Sequence, residues 1–216
     1  MGEAHPAIAV YGKTLEKDFD LVLVVGREPN SDNPGFSTGI DTYDFDHGKG
    51  PRCAFWNSSY GIAGQTIGLT TRELKVLCRQ QECSPIAYAD ALPITLPNSV
   101  KNKFRARLAI ADEDIERHLT HLFSHQEFMR RVGLVLLSGI ETPEFQRSFR
   151  LFDALCQKHG KMVRNVPFFF GNNVPKIKQA LDEEAIAALT LIMKKFRRAG
   201  RFSWDGGSLV PASVSN

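Results

Sequence analysis

The sequence predicts an α/β protein: a three-layer α/β/α sandwich around a central, mostly parallel four-stranded sheet. Three observations carry this. Four short apolar runs occur at residues 21–25, 85–89, 133–137 and 163–170, and most are continuous rather than alternating, the pattern of strands covered on both faces. Segments of helical periodicity lie between and after them, at 71–81, 112–131, 143–159 and 175–199. Strands that alternate with helices require crossover connections, and these are right-handed and place helices on both faces of a parallel sheet.

The first run, Leu21-Val22-Leu23-Val24-Val25, follows Asp20 and ends at Gly26. The segment 30–51 is rich in Gly, Pro, Asn, Asp and Ser and reads as a long surface loop, a class that in compact domains is often functional. Thr70 or Thr71 with Glu73 nearby supplies an N-cap for the helix at 71–81. Thr142-Pro143 puts proline at a first helical position, and Gly160 and Gly200 stand where helices should stop. Residues 1–205 are expected to form one domain, and 206–216, small and polar, a flexible C-terminal tail.

Composition sets the class. The chain has 216 residues, 43% hydrophobic and 24% charged, enough to bury a sizeable core. No apolar run spans a bilayer and no secretory leader opens the sequence, so a soluble intracellular protein, cytoplasmic in location, is expected. Cys53, Cys78, Cys83 and Cys156 show no C-x-x-C spacing and read as free thiols. The net charge of +3 permits a polyanionic partner without requiring one.

In open parallel sheets, ligands collect beyond the carboxyl ends of the strands. Four segments are expected to meet there: Gly26-Arg27-Glu28-Pro29-Asn30, Asp90-Ala91-Leu92-Pro93, Ser138-Gly139-Ile140-Glu141 and Gly171-Asn172-Asn173-Val174-Pro175. His118, His121 and His125 share one face of a predicted helix, but no second element offers a further ligand, so solvated or half-buried histidines are expected and no metal. Phe55 and Trp56 are expected in the core. Lys101, Lys103, Arg105 and Arg107 alternate around Phe104 and suit either a phosphate backbone or a solvated face. Lys194, Lys195, Arg197, Arg198 and Arg201 read as cations at a helix C-terminus.

Val24-Val25-Gly26-Arg27-Glu28-Pro29-Asn30 resembles the first motif of the uracil-DNA glycosylase superfamily, a strand followed by Gly, two variable residues and Pro. The stretch Ala54-Phe55-Trp56-Asn57-Ser58-Ser59-Tyr60-Gly61-Ile62-Ala63-Gly64 is similar to the aromatic-rich segment of that family's mismatch-specific and thymine-DNA glycosylase branch. The resemblance implies a glycosylase that hydrolyses the N-glycosidic bond of uracil or a related damaged base flipped out of DNA. Glu28, just before the proline, would face the catalytic water, with Asn30 completing the motif. Asp90 takes the position that reads the base, where the family often has Asn, and Gly26 and Arg27 line the same pocket. Phe45, or next Tyr43, would be the aromatic platform under the base. Where the family's second motif is built around His-Pro-Ser-Pro, this chain has Gly171-Asn172-Asn173-Val174-Pro175. Asn172 or Asn173 would then contact the leaving base, and Val174 and Lys176 would join the basic segment 101–107 in holding DNA. No cofactor is implied, the cysteines do not reproduce an iron–sulfur spacing, and a monomer is expected. Two other classes stay open: a nucleoside hydrolase or deoxyribosyltransferase, and a non-catalytic module that binds damaged DNA.

Overall fold

The computed structural model describes residues 8–27, 40–43, 54–93, 100–167, 174–199, 202–205 and 208–211. In chain order the strands are β1 (Ile8–Tyr11), β2 (Leu21–Gly26), β3 (Ile40–Tyr43), β4 (Ile86–Asp90), β5 (Val132–Ser138), β6 (Val163–Val166), β7 (Phe202–Asp205) and β8 (Ser208–Pro211). The helices are α1 (Ala54–Gln65), α2 (Thr71–Gln81), α3 (Lys103–Leu108), α4 (Asp112–Ser124), α5 (Gln126–Arg131), α6 (Gln146–Lys158), α7 (Val174–Ala180) and α8 (Glu183–Ala199). No helix among the described residues is long and apolar enough to cross a membrane.

The expected α/β architecture is present, with a wider sheet than expected. Its order is β3-β1-β4-β2-β5-β6, six strands instead of four. The four strands anticipated from sequence, β4-β2-β5-β6, are all parallel, and β1 adds antiparallel to β4 while β3 pairs parallel to β1. Strand β2 is central, and every residue from Leu21 to Val25 is at most 2% exposed, which explains its unbroken apolar run. One group of helices, α1, α2, α7 and α8, packs together on the sheet, and α4 with α6 forms a second group. Together they bury a single core running from Ile8 to Phe196.

Local chemistry fixes most boundaries. Thr70 caps α2 in a reciprocal box: its hydroxyl accepts from the Glu73 N–H at 3.2 Å, and the Glu73 carboxylate accepts from the Thr70 N–H at 2.7 Å. The long helix expected at 112–131 is broken at His125, which ends α4 and starts α5; buried apolar residues continue on both sides, so periodicity hides the break. The helix expected at 175–199 is likewise two, because the Asp182 carboxylate accepts the Ala185 N–H at 2.8 Å and opens α8 as an N-cap. Pro143 opens a 3-10 turn, Pro143–Phe145, that leads into α6. Gly61 lets α1 approach α7: a Cβ there would lie 2.9 Å from Val174 Cγ2. The tail expectation fails in part, since Ser208–Pro211 pairs antiparallel with Phe202–Asp205.

The amino edge of the sheet is densely tied. The Arg131 guanidinium, at the entry to β5, donates to the carbonyls of Thr14 (3.0 Å), Leu15 (3.2 Å) and Phe19 (3.2 Å). The Thr14 hydroxyl accepts from the Ser84 N–H at 2.8 Å, and Tyr60 Oη lies 2.6 Å from Ser84 Oγ, both buried. Lys195 pairs with Asp20 at 2.6 Å, and Lys13 with Glu82.

Candidate functional site at the carboxyl edge of the sheet

Because β4, β2, β5 and β6 are parallel, the segments after Gly26, Asp90, Ser138 and Val166 emerge on one edge. Gly26 and Asp90 are register partners across neighbouring strands. The ladder continues past them, with the Ala91 N–H donating to the Gly26 carbonyl and the Leu92 N–H to the Arg27 carbonyl, both at 3.0 Å. The chain is therefore held in place as far as Arg27. Ser138 ends β5 fully buried, and Gly139 follows with φ +106°, a left-handed turn that glycine makes at no steric cost. The Gly139 N–H donates to Val166 at 3.1 Å, so the β5 turn is bound to the end of β6.

That turn returns two acidic side chains and one ring to the edge. Arg27 Nη2 lies 3.7 Å from Glu141 Oε1, and its guanidinium carbon sits 5.5 Å from the centroid of Phe145, a ring only 2% exposed. On the same ring rests Arg107 of α3, at 4.9 Å, and Arg107 Nη1 pairs with Glu144 Oε1 at 3.1 Å. Both side chains of this pair are largely buried, 17% and 12% exposed. A guanidinium so placed gains from cation–π contact as well as from charge pairing.

Beneath Asp90 lies His118 of α4. Its Nε2 is 2.8 Å from the Asp90 carbonyl oxygen, and the residue is 1% exposed. Nδ1 has no partner within the structure described, so the neutral tautomer with Nε2–H donating fits the site. Burial holds its pKa below the ordinary histidine value, against the Asp90 contact that raises it, and neighbouring His121 adds to the lowering.

The expected site residues divide into three groups. Gly26, Arg27 and Asp90 are brought together. Glu28, Asn30, Phe45, Asn172 and Asn173 lie outside the described residues. The rest fall elsewhere than anticipated or keep only part of their role. Tyr43 pairs with Tyr11 at the end of β3 away from Ile40, about 10 Å down the strand at 3.3 Å per residue, toward the amino edge. It is not a platform beside Asp90. Val174 packs on the core against α1 instead of projecting, as the contact with Gly61 requires. Arg107 is committed to Glu144 and Phe145, which withdraws it from a phosphate-contacting stripe. Lys101 and Arg105 are exposed, Lys103 is half-buried, and Lys176 is exposed on α7.

Sequence reasoning missed His118 as the support of the β4 terminus and Phe145 as the ring joining Arg27 to Arg107. The apolar spacing of Ile115, Leu119 and Leu122 in α4 placed His118 on the buried stripe, a signal that was present. His121 and His125 stack edge to face at 5.3 Å. Among the described residues no group of three or more His, Cys, Asp or Glu is arranged to hold a metal ion. Cys78, Cys83 and Cys156 are buried free thiols, and burial pushes Cys83 up to about 11 and Cys156 up to about 12, so neither is a nucleophile at neutral pH. No protein-family model matches the chain, and no curated protein matches it.

Proposed function

We propose that the chain hydrolyses the N-glycosidic bond of uracil or a related damaged base flipped out of DNA. The observation that supports this most directly is the register pairing of Gly26 with Asp90 at the carboxyl edge, which brings Gly26 and the following Arg27 beside the expected base-reading residue. In the reaction, water adds to the anomeric carbon of the sugar as the bond to the base nitrogen breaks. The base departs with the bonding electrons and is then protonated. Positive charge on the sugar and negative charge on the base develop together, so a carboxylate below the sugar and donors around the base lower the barrier. Glu28, immediately after the anchored Arg27, serves the first need and orients or deprotonates the water. Asn172 or Asn173 serves the second, and Asp90 and Arg27 face the edge of the base. Arg27, which lies against Glu141 and the Phe145 ring, supplies a cation near the base on this reading. The protein acts as a cytoplasmic monomer on this reading, with damaged DNA as its partner.

The test is direct. Purified protein is incubated with labelled oligonucleotides carrying uracil, hypoxanthine, xanthine or a G·T mismatch, then with alkali to cut abasic sites. Cleavage at the lesion is expected for at least one substrate. Release of base from free deoxynucleosides but not from oligonucleotides would replace this reading with a nucleoside hydrolase. Binding of damaged duplex without cleavage would replace it with a non-catalytic module.

A further inference from the structure

Helix α3 is amphipathic in the reverse sense. Its positions Lys103, Ala106 and Arg107 turn inward and are half-buried, whereas Phe104, Arg105 and Leu108 turn outward. Phe104 is 47% exposed and Leu108 48%, and at i, i+4 spacing they lie side by side on one face. Among the described residues only four large hydrophobics are exposed to this degree, and two of them share this six-residue helix. Single exposed apolar residues are ordinary on protein surfaces; an adjacent pair on a helix that turns Lys103 and Arg107 inward is not.

The helix is held rigidly in this attitude. The Asn102 side chain caps it by accepting the Arg105 N–H at 3.0 Å, and Arg107 fastens its inner face to Glu144 and to the Phe145 ring. Because Arg27 rests on that same ring, α3 stands beside the carboxyl edge of the sheet with its outward face turned to solvent. Charge identifies the occupant. Lys101 and Arg105 flank the apolar pair without an ion-pair partner among the described residues, and α3 itself carries no acidic residue. Aromatic or aliphatic surface bordered by cations matches a nucleic-acid strand, whose bases stack on apolar side chains while its phosphates meet the cations.

We propose that Phe104 and Leu108 form a docking ridge for a DNA strand, with Phe104 stacking on a base next to the extruded one and Lys101 and Arg105 meeting the adjoining phosphates. The ridge rests on the glycosylase reading for its substrate, but its binding role is measured separately from cleavage.

The experiment uses the full chain and fluorescein-labelled oligonucleotides, single-stranded and duplex, each with one uracil, followed by anisotropy at several salt concentrations. Phe104→Ala is expected to raise Kd by about 5- to 150-fold, the range of one lost base–aromatic stack. Leu108→Ala should raise it less. Leu191→Ala, which removes a 54%-exposed residue on α8, should leave it unchanged. The double variant Lys101→Gln/Arg105→Gln should reduce the slope of log K against log salt by about 0.7–0.9 per contact. A Phe104→Ala Kd within two-fold of the parent overturns the ridge, as does a loss of several degrees in Tm for that variant, which would mean the ring packs on its own chain. A parent dimer that Phe104→Ala dissolves would reassign the patch to a second copy and also overturn it. Cleavage keeps the two readings apart. A parent that excises uracil while Phe104→Ala binds normally sinks the ridge alone, and a parent that binds through Phe104 without excising any base sinks the glycosylase alone.

Discussion

Replacing His118 tests whether the end of β4 is held by a neutral, buried imidazole. Folding keeps this side chain uncharged, with its pKa lowered by burial, while in the unfolded chain it titrates near 6.5. Below that value the unfolded state binds more protons than the folded one, so stability is complete above the unfolded pKa and is lost as pH falls toward the folded value. For one group the slope reaches about 1.4 kcal/mol per pH unit. His118→Gln keeps an N–H at the reach of Nε2, so it should preserve the bond to the Asp90 carbonyl and stay within about 1 kcal/mol of the parent at pH 8, yet flatten the acid limb. His118→Phe removes the donor 2.8 Å from the Asp90 carbonyl, and loss of one partner of a buried bond costs about 1–3 kcal/mol. At this chain length that is a fall in Tm of about 3–10 °C. Urea unfolding from pH 5 to 8, analysed as a two-state transition, reads both quantities. An acid limb unchanged in His118→Gln, or a His118→Phe as stable as the parent at pH 8, refutes the assignment.

Glu28→Gln, nearly isosteric but unable to carry charge, should lower single-turnover excision by orders of magnitude and leave DNA affinity largely intact; a rate within a few-fold of the parent removes Glu28 from catalysis. Asp90→Asn distinguishes how the base is read, because Asn matches the donor and acceptor of uracil while an ionised Asp only accepts. It should gain uracil activity and lose purine activity if Asp90 is ionised in the pocket, abolish a fall of uracil excision at rising pH if Asp90 is protonated, and change neither if Asp90 does not touch the base. Arg107→Ala should destabilise the fold by about 1–3 kcal/mol, because Glu144 is left 12% exposed without its partner, and should not alter the salt slope of DNA binding; a changed slope at parental Tm would return Arg107 to the interface.

The parallel centre of the fold was legible because β2, β4 and β5 are buried on both faces, and nothing but a continuous apolar run satisfies that. The β3-β1 side of the sheet was not. Ile8–Tyr11 lies in the five-residue apolar run Ala7-Ile8-Ala9-Val10-Tyr11, too short for periodicity to identify as a strand, and Ile40–Tyr43 sits inside a Gly-, Asn- and Asp-rich segment that reads as loop and is ordered by pairing with β1. The β7–β8 pair carried a signal that was passed over, Gly206-Gly207 between two apolar stretches. At the site, Gly26, Arg27 and Asp90 were legible from strand ends alone. The alternation of charges around Phe104 misled, since Arg107 and Arg105 are two apart but lie on different faces of α3. Only the fold reveals that one is a brace and the other exposed.

The ties at the amino edge give the molecule a division of labour that bears on how such a protein changes over time. Arg131 clasps three carbonyls, Thr14 and Tyr60 meet at Ser84, and Lys195 reaches Asp20, all at the rim opposite Asp90. An insertion anywhere in residues 12–20 shifts several of these partners at once. Lengthening the connection after β2 or β4 disturbs none of them, and doubling a flexible loop costs only about 0.6 kcal/mol in closure entropy. Substrate range in proteins of this architecture can therefore drift through the connections at one rim while the other rim acts as an unchanging chassis.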